Sequence, residues 1–333
     1  MKNKVQKEQR PKNITLKLEK LMKNKRVCIT GGAGFIGSNL AEVLSKNNEV
    51  IVLDNLSTGK KENLSGLDVN FIKGDILDAK VLKKAFKDVD YVFHQAAVPS
   101  VPRSIAEPIT SNMNNLDGTL NVLIAARDAN VKRLVFASSS SVYGDTPTLP
   151  KIETMLPMPL SPYAVTKLAS EYYCKVFWTV YGLSTVSLRY FNVYGPRQDP
   201  TSQYAAVIPK FISFAFLNKP LTIFGDGTQT RDFSYVKDVV KANILAALSD
   251  KADGEVINIA SGRAITLNEL AKLIIEKTGK DCKIEYLPVR KGDILHSLAD
   301  LSKAKKLLGY VPDYTIEKGI EETVESMKNN PIK

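Results

Sequence analysis

The chain has 333 residues, of which 44% are hydrophobic, enough to bury a large core in one α/β unit or two lobes. Its net charge of +11 is concentrated in residues 1–26, which hold ten Lys or Arg against two Glu. This uneven charge argues against a nucleic-acid-binding protein. Residues 1–24 are therefore predicted to be a solvated basic extension, with contact to an anionic polymer as the alternative.

No apolar run approaches the roughly 20 residues that a membrane span needs, and no apolar segment typical of a signal peptide is present. The cysteines are scattered and form no Cys-x-x-Cys pair: Cys28, Cys174 and Cys282. We therefore expect no membrane partner and a reducing, cytoplasmic environment. The only histidines, His94 and His296, argue against a histidine-based metal site, and we expect no metal.

The first strong motif is a glycine-rich loop between a predicted strand, Arg26–Thr30, and a predicted helix, 38–45. The loop contains Gly31, Gly34 and Gly37. In a dinucleotide-binding turn the first glycine makes the tight turn and the second lets a pyrophosphate approach the backbone. The third glycine lets the helix pack closely on the strand. This arrangement predicts a dinucleotide site.

A second predicted strand, 49–53, ends at Asp54, about 20 residues beyond Gly34. A carboxylate at this distance can bind ribose hydroxyls and repel a 2′-phosphate, which favours NAD over NADP. Lys60 and Lys61 are nearby cations that act against this preference.

Strands and helices continue to alternate along the chain. The predicted elements are strand 69–73, a helix around 78–87, strand 90–94, a long helix near 108–130, and strand 133–137. Such alternation predicts a Rossmann-type doubly wound parallel sheet, with ligands at the carboxyl ends of the strands. The loops expected at those ends are 31–37, 54–59, 75–76, 95–104 and 138–144.

A predicted helix over 162–181 carries Tyr163 and Lys167, which are four residues apart and share one face. An ammonium beside a phenol lowers the pKa of the phenol, which lets a tyrosine accept a proton near neutral pH. The serines at 138–141 could hydrogen-bond the substrate oxygen that loses this proton. Taken alone, the tyrosine and lysine could equally be a core residue and a solvated cation, and the serines a polar loop.

From about residue 196 the loops become longer and the strands shorter, but no sharp linker separates the halves. We expect an NAD-binding Rossmann domain over 25–195, which carries the catalytic residues. Residues 196–330 are predicted to form a smaller α/β substrate lobe that is interleaved with the sheet.

Together these motifs resemble the extended short-chain dehydrogenase/reductase family, and within it the NAD-dependent nucleotide-sugar epimerases. The resemblance covers roughly residues 25–328. It rests on the segments 31–37 with Asp54, 95–97, 138–144, 163–167, 189–192, 225–233 and 290–293. Segments 100–104, 197–200 and 204–209 look most like the bacterial-type UDP-N-acetylglucosamine 4-epimerases.

The resemblance implies a catalytic trio of Ser139, Tyr163 and Lys167. It implies NAD as cofactor, held by Gly31, Gly34, Phe35, Ile36, Gly37, Asp54, Asn55, Ser57, Thr58, Gly59, Asp75, Ile76, Gln95, Ala96, Ala97, Asn115, Ser138, Tyr163, Lys167 and Tyr190. It implies a UDP-sugar substrate, held by Ser100, Arg103, Ser139, Ser140, Tyr163, Asn192, Gln198, Ala206, Val207, Arg231, Arg290, Asp293 and Ser297. Arginines suit the diphosphate because a guanidinium can bind it through two hydrogen bonds.

The implied reaction is a reversible oxidation at C4 of the sugar. Tyr163, helped by Ser139, removes the 4-hydroxyl proton while a hydride passes to NAD⁺, and the hydride then returns to the other face of the 4-keto sugar. Related dehydratases have a sequence like Thr-Asp-Glu at the serine loop, and related decarboxylases carry a glutamate at the position of Ser141. This chain has serines at 140 and 141, so elimination and decarboxylation lack their acid.

In such epimerases one residue limits the room around the C2 substituent, and it falls here on Ser297. Serine leaves space for an N-acetyl group, so the expected reaction is UDP-GlcNAc/UDP-GalNAc interconversion. The alternatives are UDP-glucose/UDP-galactose interconversion, both activities, or a non-catalytic NAD-binding sensor. The resemblance also implies a homodimer through a four-helix bundle built from helices 108–130 and 162–181.

Overall fold

The computed structural model describes residues 19–200, 206–289 and 294–329. Its strands are β1 Arg26–Thr30, β2 Glu49–Asp54, β3 Asn70–Lys73, β4 Tyr91–His94, β5 Arg133–Ser139, β6 Thr185–Tyr190, β7 Val193–Tyr194, β8 Leu221–Phe224, β9 Thr230–Asp232, β10 Ser234–Tyr235, β11 Glu255–Ile259, β12 Ala264–Thr266 and β13 Ile284–Leu287. Within the described residues, seven strands form a parallel sheet in the order β11-β6-β5-β4-β1-β2-β3. The predicted Rossmann-type sheet is therefore confirmed.

The position of β1 determines where a ligand can bind. β1 is almost wholly buried and lies between β2 and β4, so the strand order reverses direction there. In open α/β sheets, the loops that leave the strands on either side of such a point diverge, which opens a crevice at the carboxyl ends. The loop that follows β1 contains the predicted glycine motif.

The helices are Phe35–Leu44, Ala79–Ala85, Val101–Ala106, Pro108–Asn112, Gly118–Asp128, Pro162–Tyr181, Val207–Phe216, Val236–Leu248, Leu267–Thr278, Ser302–Leu308 and Ile316–Asn329. Short 3₁₀ turns cover Lys61–Leu64 and Ser140–Tyr143. Within the described ranges, no helix combines the length and the apolar character that crossing a membrane requires.

Three elements differ from the prediction. The long helix expected near 108–130 is divided by a π-helical turn, Met113–Asp117, and such turns often occur at functional sites. A further helix, Val101–Ala106, occupies part of the predicted loop 95–104, because Ser100 caps it and Pro102 suits its first turn. β5 also runs two residues further than predicted, since Ser138 and Ser139 pair with β6.

The C-terminal half of the chain contributes to two cores. β11 joins the main sheet beside β6, and the helix Val236–Leu248 packs against the helix Phe35–Leu44. A smaller core lies around β8 and the helices Val207–Phe216 and Leu267–Thr278. The crevice at the end of β1 therefore has residues from both halves of the chain around it.

Candidate active site

A cleft of about 740 Å³ opens at the carboxyl ends of the central strands. Its lining includes most of the residues that the sequence predicts: Gly31, Gly34, Phe35, Ile36, Gly37, Asp54, Asn55, Ser57, Thr58, Gly59, Ile76, Gln95, Ala96, Ala97, Ser100, Arg103, Ser138, Tyr163, Lys167, Tyr190, Gln198 and Ala206. The lining does not include Asp75, Asn115, Ser139, Ser140, Asn192, Val207, Arg231 or Ser297. Arg290 and Asp293 lie outside the described residues.

The glycine loop is too tightly packed for side chains. Gly31 has φ +69°, and a Cβ there would lie 2.6 Å from the backbone nitrogen of Ala96. A Cβ on Gly37 would lie 2.3 Å from the Gly31 carbonyl oxygen. Gly34 begins the helix Phe35–Leu44, and no side chain caps its N-terminus. The first N–H groups of this helix therefore face the cleft in the arrangement that binds a pyrophosphate.

Asp54 lies at the end of β2, and only 7% of it is exposed. Its two carboxylate oxygens accept hydrogen bonds from the backbone nitrogens of Ala33 at 2.9 Å and Leu56 at 2.8 Å. A carboxylate has further lone pairs, so it can still accept from ribose hydroxyls.

Both cations near Asp54 have partners. The Lys60 ammonium is 2.8 Å from the carboxylate of Asp199, and the Lys61 ammonium lies over the Phe71 ring. Asp199 thus partly neutralises the charge of Lys60, and Asp54 remains the feature that favours NAD.

Asp75 does not line the cleft but supports Asn55, which does. Its carboxylate accepts a hydrogen bond from the Asn55 side chain at 2.8 Å, and Asn55 lines the cleft. Its other oxygen accepts from the backbone nitrogen of Leu77 at 2.9 Å. Asp75 therefore holds a predicted cofactor residue in place.

Asn115 lies behind the cleft wall, in the π-helical turn. Its side chain accepts a hydrogen bond from the Val98 nitrogen at 2.7 Å and donates to the Val98 carbonyl at 3.1 Å. The structure thus places this predicted cofactor residue as a support for the loop 95–98.

A buried polar chain, which the sequence did not reveal, supports the same wall. His94 is hydrogen-bonded to Thr30 at 2.7 Å and to Thr119 at 2.9 Å. The Thr119 hydroxyl donates to the Asn115 carbonyl, so it accepts from His94 Nε2, and Nδ1 accepts from Thr30. Burial and the charge of Lys167 lower the pKa of His94 to about 3, so this histidine is neutral.

Tyr163 and Lys167 lie on adjacent turns of the helix Pro162–Tyr181, as predicted. Lys167 is 3% exposed; its ammonium donates to the Ala137 carbonyl at 2.7 Å and lies 5.8 Å from the centre of the Tyr163 ring. Burial lowers the pKa of Lys167 to about 8. Burial raises the pKa of Tyr163 above its ordinary value, although hydrogen bonding by Ser139 offsets part of this rise. The predicted net lowering of the Tyr163 pKa is thus reversed, because desolvation outweighs the neighbouring groups.

Ser138 is hydrogen-bonded to one member of a buried ion pair that sequence reasoning missed. Its hydroxyl donates to Glu171, and Arg189 donates to both oxygens of Glu171 at 2.9 and 2.7 Å. Both partners of this ion pair are buried. The available signal was the position of Glu171, four residues after Lys167 on the same helical face.

Gln95 and Tyr190 form another buried junction at the cleft. The Gln95 amide donates to the Tyr190 hydroxyl at 3.2 Å and to the side-chain Oδ1 of Asn243 at 3.1 Å, and Tyr190 donates to the same Oδ1 at 3.0 Å. Asn243 comes from the C-terminal half of the chain, and no local pattern indicated this role.

Two residues predicted to bind the sugar nucleotide, Asn192 and Ser297, are in direct contact, although neither lines the cleft. Asn192 donates to the Ser297 hydroxyl at 3.3 Å and to the Asp232 carbonyl at 3.0 Å. Arg231 donates to the Leu295 carbonyl at 3.1 Å, which brings the segment before Ser297 to β9. Asn192 and Ser297 are therefore neighbours despite a separation of 105 positions in the chain.

Asp232 is the residue that organises this region, and sequence reasoning did not single it out. Its buried carboxylate accepts from the backbone nitrogens of Ser261 at 2.9 Å, Gly262 at 3.1 Å and Ala299 at 3.1 Å. Its place next to Arg231 in a predicted motif was the only signal.

The remaining predicted substrate residues have varied settings. The Gln198 amide nitrogen donates to the Val193 carbonyl at 3.1 Å, while its buried amide oxygen has no hydrogen-bond partner. Ser100 accepts from the Arg103 nitrogen at 3.3 Å, and the Arg103 guanidinium is 3.7 Å from the Glu107 carboxylate. Three others are placed at element boundaries: Ser140 begins a 3₁₀ turn, Ala206 precedes a helix, and Val207 begins it.

The chain is similar to known proteins in both sequence and structure. Residues 27–260 match the family model described as NAD dependent epimerase/dehydratase family. A UDP-glucose 4-epimerase of Mycolicibacterium smegmatis is 38% identical over 312 residues, which is 91% of this chain and 99% of that protein.

Two solved structures share the fold throughout. A UDP-N-acetylglucosamine 4-epimerase from Methanobrevibacter ruminantium M1, in complex with UDP-N-acetylmuramic acid, has a TM-score of 0.89 and 48% identity, covering 93% of this chain and 100% of that one. A UDP-glucose 4-epimerase from Thermotoga maritima, with UDP-glucose, has a TM-score of 0.88 and 41% identity, covering 92% and 99%.

Proposed function

Because this chain belongs to the NAD dependent epimerase/dehydratase family, we propose that it is a UDP-N-acetylglucosamine 4-epimerase. It interconverts UDP-GlcNAc and UDP-GalNAc by reversible oxidation at C4 of the sugar. The observation that carries this proposal is that Tyr163 and Lys167 line the same cleft as the glycine loop and Asp54.

The cleft fits NAD on three counts. The glycine loop leaves no room for side chains, and the uncapped helix N-terminus presents N–H groups to a pyrophosphate. The Asp54 carboxylate is positioned for a ribose. NAD bound here supplies the acceptor and donor of a hydride.

Proton transfer falls to the side chains of the chain itself. Tyr163 accepts the proton of the sugar 4-hydroxyl and returns it, with Ser139 hydrogen-bonded at the same phenol. Lys167, held at Ala137, places a positive charge near the ring and so favours the phenolate. Ser140 and Ser141 carry no acid for elimination or decarboxylation, which leaves epimerisation as the net reaction.

The choice of an N-acetylated sugar rests on Ser297. This small side chain is hydrogen-bonded to Asn192, which we assign to the diphosphate, so the residue lies near the proposed sugar position. A serine here leaves room for a C2 substituent. The Methanobrevibacter ruminantium enzyme, which is 48% identical, supports the same choice.

The alternative is UDP-glucose/UDP-galactose interconversion, which the similarity to the Thermotoga maritima enzyme favours. The test is to assay the purified protein with UDP-GlcNAc and UDP-glucose separately, at equal concentrations. We expect the larger kcat/KM with UDP-GlcNAc. Fast turnover of UDP-glucose with none of UDP-GlcNAc would reverse the assignment, and turnover of neither, with NAD bound, would support an NAD-binding sensor.

We assign a homodimer to this protein because two adjacent helical surfaces expose apolar side chains. The first lies on the helix Pro162–Tyr181 and comprises Val165, Tyr172, Val176 and Val180. The second lies on the neighbouring helices and comprises Ile105, Ile109, Met113 and Ile124. Pairing two such surfaces across a twofold axis would bury eight apolar positions per protomer.

The dimer is tested by substituting Val176→Glu and measuring the mass by light scattering after size exclusion. We expect a monomer, with Val311→Glu, which changes an exposed valine elsewhere, remaining a dimer. A wild-type monomer would contradict the assignment.

A further inference from the structure

Residues 195–200, which we call the strap, run along the cleft between β7 and the helix Val207–Phe216. Three consecutive strap residues line the cleft: Arg197, Gln198 and Asp199. The strap follows the strands of the C-terminal half, but both of its charged side chains reach the cofactor side. It therefore connects the two sides of the site.

The first connection is between Arg197 and the helix Phe35–Leu44. The Arg197 guanidinium forms an ion pair with Glu42 and donates to the Asn39 side chain at 2.9 Å. Asn39 in turn donates to the carbonyl of Pro196 at 3.1 Å. The strap is thus fastened, by backbone and side chain, to the helix whose N-terminus faces the proposed pyrophosphate position.

The second connection is the ion pair between Lys60 and Asp199, with 2.8 Å between the charged groups. Lys60 belongs to the loop after β2, and its backbone nitrogen donates to the Ala33 carbonyl at 3.0 Å. The preceding Gly59 packs directly against the Asp54 carboxylate. This ion pair therefore closes over the end of the cleft that holds the proposed adenosine ribose.

The backbone of the strap is in a conformation that needs such support. Arg197 has φ +70°, a region that side-chain-bearing residues rarely adopt. A strained conformation of this kind persists only where the surrounding contacts hold it, and here those contacts are the ones to Glu42 and Asn39. Breaking them would let the strap move away from the cleft.

We propose that the strap is a clasp that retains NAD in the cleft between and during turnovers. Epimerisation returns to the sugar the same hydride that was taken from it. If the cofactor dissociates before this return, the 4-keto sugar cannot be reduced. The need for retention rests on the proposed epimerisation, whereas the retention itself is a property of Arg197, Asp199, Glu42 and Lys60.

The test measures NAD release without any sugar nucleotide. The protein is loaded with NAD⁺, excess cofactor is removed by rapid gel filtration, and the retained NAD⁺ is quantified over time. In the double variant Glu42→Gln/Asp199→Asn, which removes the charge of one partner from each ion pair, we expect release about tenfold faster than in wild type. Each single variant should give a smaller increase.

A matched control is the ion pair between Arg26 and Glu49, at the opposite end of the strands from the cleft. The Glu49 side chain is 46% exposed, close to the 49% of Glu42. The variant Glu49→Gln should release NAD⁺ at the wild-type rate. Release that accelerates equally in the control and the double variant would reflect general loosening and would overturn the proposal.

Ionic strength gives a second measurement, whose first part uses the wild-type protein alone. Salt screens partly exposed ion pairs, so release from wild type should accelerate as NaCl rises from 0.05 to about 0.5 M. The double variant should respond less. If the double variant releases NAD⁺ as slowly as wild type, the clasp does not exist, whether or not the protein epimerises any sugar.

Discussion

The cofactor side of the cleft and the region proposed for the sugar, which we call the sugar side, are built in different ways. On the cofactor side, the main contacts are made by the backbone: the glycine loop excludes side chains, and Asp54 is held by two backbone N–H groups. These residues lie between positions 31 and 56 of the chain. Their geometry therefore follows mainly from two adjacent strands, β1 and β2, and from the turn and the helix between them.

On the sugar side, the contacts are made by side chains from distant segments. Asn192, Asp232 and Ser297 meet through hydrogen bonds that link three separate parts of the chain. Ser297 lies outside the strands of the main sheet. We therefore expect a substitution there to alter sugar preference more than cofactor binding.

The largest effect should come from Tyr163→Phe, which removes the proposed base from between the two sides. We expect kcat to fall by about two to four orders of magnitude, the usual contribution of a general base. NAD affinity should change little, because the glycine loop is untouched. Tyr173→Phe, a substitution at an exposed position of the same helix outside the proposed dimer surface, is the control. Undiminished epimerisation by Tyr163→Phe would exclude this residue as the base.

The next largest effect should come from Gly31→Ala, which breaks the cofactor side alone. The added Cβ would lie 2.6 Å from the Ala96 nitrogen, so the loop must shift and the NAD Kd should rise more than about tenfold. Gly66→Ala is the matched control, because Gly66 also has a positive φ, +76°, but has open space around it. Both variants should lose about 1 kcal/mol of stability from strain. Equal NAD binding by both would contradict the close-packing argument.

A selective effect should follow from Ser297→Tyr, which alters the sugar side alone. The ring should fill the space proposed for the N-acetyl group, so kcat/KM for UDP-GlcNAc should fall at least about tenfold relative to UDP-glucose. Ser297→Ala keeps the space and should preserve the preference. Equal losses for both sugars would mean that Ser297 does not control the C2 substituent.

The smallest effect should be a shift in pH dependence caused by Lys167→Met. The Lys167 ammonium is charged below its pKa of about 8, and a positive charge lowers the pKa of a nearby phenol. Its removal should therefore lower kcat mainly below about pH 8, where the wild-type ammonium is charged, and change kcat less at higher pH. An equal loss at every pH would limit Lys167 to binding.

Several predictions from the sequence were accurate because they depended on local rules. The helix Pro162–Tyr181 was predicted with its bounds, since Ser161 caps it, Pro162 suits its first turn and Gly182 ends it. The long helix near 108–130 was not, because no local pattern indicated its π-helical turn, whose Asn115 is hydrogen-bonded to Val98 in another segment. The neutral state of His94 likewise depends on burial that no local pattern reveals.

The sequence by itself determined the parallel sheet, the glycine loop, Asp54 and the pairing of Tyr163 with Lys167. Each of these follows from the spacing of residues within one or two elements, where backbone geometry sets the distances. Only the tertiary structure decided the contacts between segments far apart in the chain, such as Lys60 with Asp199 and Asn192 with Ser297. It also decided that burial raises the pKa of Tyr163, because desolvation depends on everything packed around the ring.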